Sequence, residues 1–186
     1  MTKNQLQSIS DWFHAAPWRL SALRAVNGVC VSGAAAAFFY GVLVRPGLSD
    51  PKQTLRLVLT CGVPFVLLSA ARHALDLPRP FEVYGLEPLL PREKPGRGFP
   101  SRHVFSIFVI GTCFCYLDLR IGVPLLCLGA VLGGLRVVSA VHFPRDVIVG
   151  AALSALRVMA AVHFERDVLA GAAVGILSGI IGFGLI

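Results

Sequence analysis

Gly98-Phe99-Pro100-Ser101-Arg102-His103 separates a basic, proline-rich stretch from a long apolar run that begins at Val104. Its reading decides how the chain is organised. Pro fits the first turn of a helix and a Ser hydroxyl can take up an orphan backbone N–H, so Pro100 and Ser101 predict a helix start. The positive end of that helix falls at Ser101 and His103, where open N–H groups and the macrodipole can hold an anion beside an imidazole able to move a proton. Arg72 and Arg79 lie upstream of it, and Arg136, His142 and Asp146 downstream. The chemistry then depends on whether folding brings these residues together.

Hydrophobic residues make up 55% of the 186 positions and the mean hydropathy is +0.73, well above a soluble domain. The charges gather in short runs between apolar stretches, as they must if those stretches cross lipid. The expected fold is all-α: a polytopic transmembrane bundle of about six helices with an interfacial N-terminal helix. A net charge of +7 suits anionic headgroups or an anionic substrate. With most of the surface in lipid, nucleic acid is not expected as a partner. Cys30, Cys61, Cys113, Cys115 and Cys127 are odd in number and all lie in apolar runs, so they read as reduced packing residues without metal-site spacing.

Along the chain, residues 1–24 mix Leu6, Ile9, Trp12, Phe13 and Trp18 with polar neighbours and predict an amphipathic segment lying in the interface. Ala25 to Val44 is uncharged and bracketed by Arg24 and Arg45, long enough to cross. The run from Leu57 to Ala71 is interrupted by Pro64 and reads as short for a span, which puts Arg72 at phosphate depth. From Leu77 to Arg102, six prolines predict an interfacial loop without helix. Within it Arg92, Lys94 and Arg97 read as interface anchors, and His14 and His73 elsewhere as surface or packing histidines. Val104–Leu117 and Ile121–Leu135 form a helical hairpin around Asp118; by crossing twice it returns His142 to the side that holds Arg79 and His103.

The end of the chain contains a duplication. Residues 135–150 recur as 156–171 with 11 of 16 positions identical, so that Arg157, His163 and Asp167 repeat Arg136, His142 and Asp146. One repeat is too few for a solenoid. The first copy is the expected working one, because Val147 to Val162 is about 24 Å long as a helix and would carry His163 and Asp167 to the opposite face. The second copy also has Glu165 where the first has Pro144, and a carboxylate there would repel an anion. The last run, Val168 to Ile186, predicts a closing span.

Arg72, Arg79-Pro80, Pro100-Ser101-Arg102-His103, and Arg136 with His142 and Asp146 in fixed spacing resemble the three motifs of the type 2 phosphatidic acid phosphatase family. The resemblance covers about Arg72 to the C-terminus and makes residues 25–186 a membrane-embedded phosphatase domain. It implies His142 as nucleophile, Asp146 as its orienting carboxylate and His103 as the acid for the leaving group. It also implies Arg72, Arg79, Ser101, Arg102 and Arg136 around the phosphate, and no cofactor or metal. The sequence departs from the family pattern at Arg72 for Lys, Arg102 for Gly and Leu135 for Ser. Guanidinium groups suit phosphoryl transfer on their own account, since that chemistry is mostly positioning and neutralisation of spread negative charge.

The activity implied is hydrolysis of a lipid phosphate or isoprenoid diphosphate through a phosphohistidine, at the interface of the bacterial inner membrane. Two other readings belong to different classes: a catalytically silent lipid-phosphate binder, which would have lost a histidine or the aspartate, and a haloperoxidase-like relative, which would be soluble.

Overall fold

The computed structural model describes residues 1–44, 51–91 and 94–158. Among them the regular elements are all helices: α1 (Lys3–His14), α2 (Pro17–Leu43), α3 (Pro51–Leu75), α4 (Pro80–Tyr84), α5 (Arg102–Leu117) and α6 (Leu119–Val138), followed by α7, residues 144–158. The bundle is the expected all-α one. α2, α3 and α6 are each long and apolar enough to cross a membrane, and α5 is a shorter apolar helix of 16 residues.

α5 is the inner helix. Val104 is buried, and Phe105, Ile107, Val109, Ile110 and Phe114 are buried and packed with Cys30 and Ala34 of α2, Leu57, Cys61 and Leu68 of α3, Leu125 and Leu132 of α6, and Val158 of α7. The outer faces of α2 and α3 instead expose Val29, Phe39, Leu43, Val66 and Leu67. Such faces suit lipid, where helices satisfy their own backbone and expose apolar side chains at no cost. The α5–α6 reversal takes one residue, Asp118, whose Oδ1 accepts from the Arg120 N–H at 3.0 Å and so caps α6. Gly122 makes the tight return possible: a Cβ there would meet the Phe114 carbonyl carbon at 2.7 Å. The two ends of this hairpin therefore lie together, Arg102 and His103 opening α5 and Arg136 closing α6.

Three local expectations change. The run from Leu57 to Ala71 is not short: polar residues extend it into a 25-residue helix, and Pro64 lies inside that helix without ending it. The stretch from Leu77 to Arg102 is not helix-free, since Pro80 occupies the first turn of α4, where a missing N–H costs nothing. The N-terminal segment is split, α1 ending at His14 and α2 beginning at Pro17, so α2 passes unbroken through position 24/25. α1 tucks Leu6 against Phe81 and Ala140 and leaves Trp12 exposed, while the first turn of α2 exposes Trp18 and places Arg19 over the Trp12 ring at 4.1 Å. That is the pattern of an interfacial helix with aromatic and basic anchors. The predicted span from Val168 to Ile186 lies outside the described residues.

Candidate active site

At the α5 N-terminus the chain between α4 and α5 runs past the ends of α3 and α6, and its backbone carbonyls alternate as acceptors. Gly96 C=O takes the Arg79 Nε–H at 3.0 Å, Gly98 C=O takes His142 Nδ1 at 2.7 Å, and Pro100 C=O takes a terminal N–H of Arg72. Three side chains distant in sequence are thus aimed by one five-residue segment. The segment is itself tied down. Glu82 Oε2 accepts from both the Arg79 and Gly96 N–H groups at 2.8 Å, and the Gly98 N–H donates to the Leu77 carbonyl at 2.6 Å. A Cβ at Gly98 would meet the Pro78 carbonyl oxygen at 2.8 Å, so this close approach requires glycine.

His142 reaches its position through the turn that follows α6. Ala140 takes φ +57°, and the N–H groups of Val141 and His142 both donate back to the Arg136 carbonyl. Because a carbonyl can only accept, the bond to Gly98 puts the imidazole proton on Nδ1 and leaves the Nε2 lone pair available. Asp146 Oδ2 is 3.7 Å from the same Nδ1, beyond hydrogen-bond length, and instead accepts the Phe143 N–H at 2.7 Å. In that role it satisfies the α7 N-terminus in the manner of a capping box. The ring is thus oriented first by a backbone carbonyl, with the carboxylate as a nearby charge. Burial holds the His142 pKa below the ordinary range; the Asp146 carboxylate opposes this, and the guanidinium groups of Arg79, Arg72 and Arg136 reinforce it.

Arg72, Arg79, Arg102, His103, Arg136 and His142 line one cavity of about 820 Å³. An adjoining apolar groove of about 500 Å³ between α2, α3 and α5 shares Val31, Arg102 and His103 with it. Arg102 stands at that junction, its guanidinium 5.3 Å from the Phe65 ring centroid. Ser101 and Asp146 lie behind the cavity wall, both buried. Ser101 is the N-cap residue of α5, but its hydroxyl makes no cap bond; its N–H donates to the Asp146 carbonyl at 3.0 Å, which joins the starts of α5 and α7.

Of the second motif copy, Arg157 lies on α7 and does not line the cavity, while His163 and Asp167 lie outside the described residues. Arg157 is eleven residues beyond Asp146, about 16 Å along the helix. The cavity also takes in residues that the sequence does not mark: Lys94 and Arg97, which read as interface anchors, His73, which reads as a surface or packing histidine, and Arg24. The one signal that could have marked Arg97 is its place between Gly96 and Gly98. The three orienting carbonyls carry no sequence signal, because every residue has one.

The comparison with curated proteins gives no match. Among solved structures the fold is similar to the crystal structure of Aquifex aeolicus LpxE, with a TM-score of 0.52 and 23% identity, over 78% of this chain and 94% of that one. At that identity the likeness concerns the fold alone. The family model of the PAP2 superfamily matches residues 53–156. The match begins earlier than the motifs alone suggested and stops before His163. Since it spans more than half of the chain, this protein is a member of the PAP2 superfamily.

Proposed function

We propose that the protein is a membrane lipid phosphatase that hydrolyses a lipid phosphate or isoprenoid diphosphate, without a metal, through a phosphohistidine on His142. The observation that carries this reading is the juxtaposition of the polar cavity and the apolar groove at Arg102 and His103. A phosphate among the arginines would have its ester oxygen near His103 and its hydrocarbon tail in the groove, so the lipid need not leave the bilayer.

In the proposed sequence, Nε2 of His142 attacks phosphorus while Nδ1–H stays on the Gly98 carbonyl. The P–O bond to the leaving group breaks, and His103 gives that oxygen a proton. Water then attacks the phosphohistidine, returning its proton to His103 and releasing inorganic phosphate. Arg72, Arg79, Arg102 and Arg136 would meet the charge on the equatorial oxygens, the larger part of catalysis in phosphoryl transfer. Ser101 would contribute indirectly, its side chain behind the wall and its N–H joining the start of α5 to α7 through the Asp146 carbonyl. Asp146 would stabilise the imidazole when it carries positive charge. The first motif copy is the working one in this reading, supported by the position of His142 and by a family match that ends before His163. The site would work at headgroup depth in the bacterial inner membrane.

The test is phosphate release by detergent-purified protein from a panel of lipid monophosphates and isoprenoid diphosphates, with and without EDTA. Turnover unchanged by chelation is expected. Loss on chelation with recovery on added magnesium would overturn the metal-free mechanism, and no release from any lipid on the panel would overturn the activity.

A further inference from the structure

The turn that carries His142 is tied on its inner side to the Gly98 carbonyl, and on its outer side it meets α1, a helix that lines neither the cavity nor the groove. Ala140 is buried in one cluster with Leu6 of α1 and Phe81 of α4, and the Phe81 N–H donates to the Ala140 carbonyl at 2.9 Å. Val141 is fully buried in a second cluster with Leu23, Leu89 and Leu90, and Phe13 of α1 packs against that cluster. The Phe143 ring meets that of Tyr84 edge to face, 6.3 Å between centroids, and the Tyr84 hydroxyl donates to the Met1 carbonyl at 3.3 Å. Ala140 and Val141 thus lean on α1, and Phe143 leans on a tyrosine bonded to the chain that opens it.

The turn needs such support. Ala140 takes φ +57°, a conformation that glycine adopts without strain and that alanine keeps where its surroundings over-determine it. Its surroundings here are the Phe81 N–H on its carbonyl and the apolar cluster of Leu6 and Phe81 around it. α1 is built to bear on them. A helix of 12 residues is marginal alone in water, so α1 persists through what it touches. A reciprocal cap between Thr2 and Gln5 closes its start, and an Arg19 N–H donated to the Trp12 carbonyl at 2.9 Å ties its end to α2. Leu6 and Phe13 lie two turns apart on one face.

We propose that α1 is the outer clamp of this turn, with Leu6 and Phe13 as positioning residues that keep His142 on the Gly98 carbonyl. This rests on the reading of His142 as the attacking group. Neither residue touches substrate. Loosening the clamp lets the ring drift from its line to phosphorus while the arginines and the groove that bind the lipid stay in place. The loss therefore falls on kcat and leaves KM nearly unchanged.

The experiment measures kcat and KM of the full chain, well below melting, for wild type and variants. Leu6→Ala should lower kcat about tenfold or more with KM within about twofold. It will also lower the melting temperature, as truncation of a buried leucine does. Leu57→Ala supplies the comparison: Leu57 is as buried as Leu6 but lies beside Phe114 and Gly41, at the other end of α5 from His103, and its variant should keep kcat near wild type at a similar loss of stability. Leu6→Met, which conserves volume, should restore kcat. Phe13→Ala, at a half-buried position, should show the same split and decides the matter if Leu6→Ala fails to fold. A kcat unaltered in these variants, or lost equally in Leu57→Ala, overturns the clamp and leaves the phosphatase reading intact.

Hydrogen exchange read by mass spectrometry requires no turnover. The amides of Val141 and His142, which donate to the Arg136 carbonyl, should exchange about tenfold faster in Leu6→Ala while those of α5 are unchanged. If wild type hydrolyses no lipid, that difference upholds the clamp while the phosphatase reading falls. Equal exchange in the two proteins overturns the clamp whatever the activity.

Discussion

The α5–α6 hairpin and the segment from Gly96 to Pro100 both build the site, by opposite means. The hairpin fixes where Arg102, His103 and Arg136 sit by close packing of apolar side chains and glycines. The segment fixes how Arg79, His142 and Arg72 point, and does so with backbone carbonyls. Packing errors should therefore appear first as lost stability, and segment errors first as lost turnover at nearly unchanged stability.

The largest expected effect lies at the residue the segment aims. His142→Ala should lower phosphate release about 10³-fold or more while membrane insertion and the melting temperature persist, as for loss of a nucleophile. Assayed beside it, His163→Ala should keep most activity. Retention in the former with loss in the latter would transfer the chemistry to the second motif copy.

Gly98→Ala is the sharper probe of orientation. The added Cβ must displace the Pro78 carbonyl or the segment, and a shift of about an ångström in the His142 acceptor should cost about 10- to 100-fold in kcat. A melting temperature that falls as far as activity would show that the segment holds the fold as well as the ring. Gly122→Ala is its counterpart in the hairpin. Overpacking against the Phe114–Cys115 backbone should cost about 1–3 kcal/mol of stability, read as a lower melting temperature, with kcat measured well below melting close to wild type. A large kcat loss there would erase the proposed division.

The smallest effect is on pH dependence. Lowering the His142 pKa keeps the imidazole neutral, and so able to attack, to more acid pH. The acid limb of kcat/KM, which reports the free enzyme, should fall below the ordinary histidine value of about 6.5. The guanidinium groups contribute to that shift, so Arg79→Gln should move the limb back upward, provided residual activity is measurable. A limb at or above the ordinary value in wild type would mean that His142 does not titrate as the buried ring does.

Much of this architecture was legible from residue types alone. Hydropathy and the polar break at Asp118-Leu119-Arg120 mark the α5–α6 hairpin, because lipid demands long uncharged helices and a tight reversal must fall where polarity returns; the structure narrows that break to Asp118 alone. The resemblance to the family's three motifs singles out His103, Arg136, His142 and Asp146, because residue types and their spacing are visible in the chain itself. What crosses between distant elements was not legible. Pro64 reads as an interruption and Pro80 as a breaker, yet one lies within α3 and the other begins α4, since tertiary packing and first-turn geometry override propensity. The family resemblance implies Asp146 as the orienting carboxylate of His142, but only the fold shows the Gly98 carbonyl at 2.7 Å and the carboxylate at 3.7 Å from that ring. Lys94 and Arg97 resemble any loop cations until the chain wraps them into the cavity wall. The sequence by itself determined a membrane-embedded helical chain of this superfamily and pointed to six of the ionisable residues that line its cavity, because side-chain chemistry is written residue by residue. Only the tertiary structure decided the orientation of those groups, because backbone carbonyls do the orienting and a carbonyl is the same at every position.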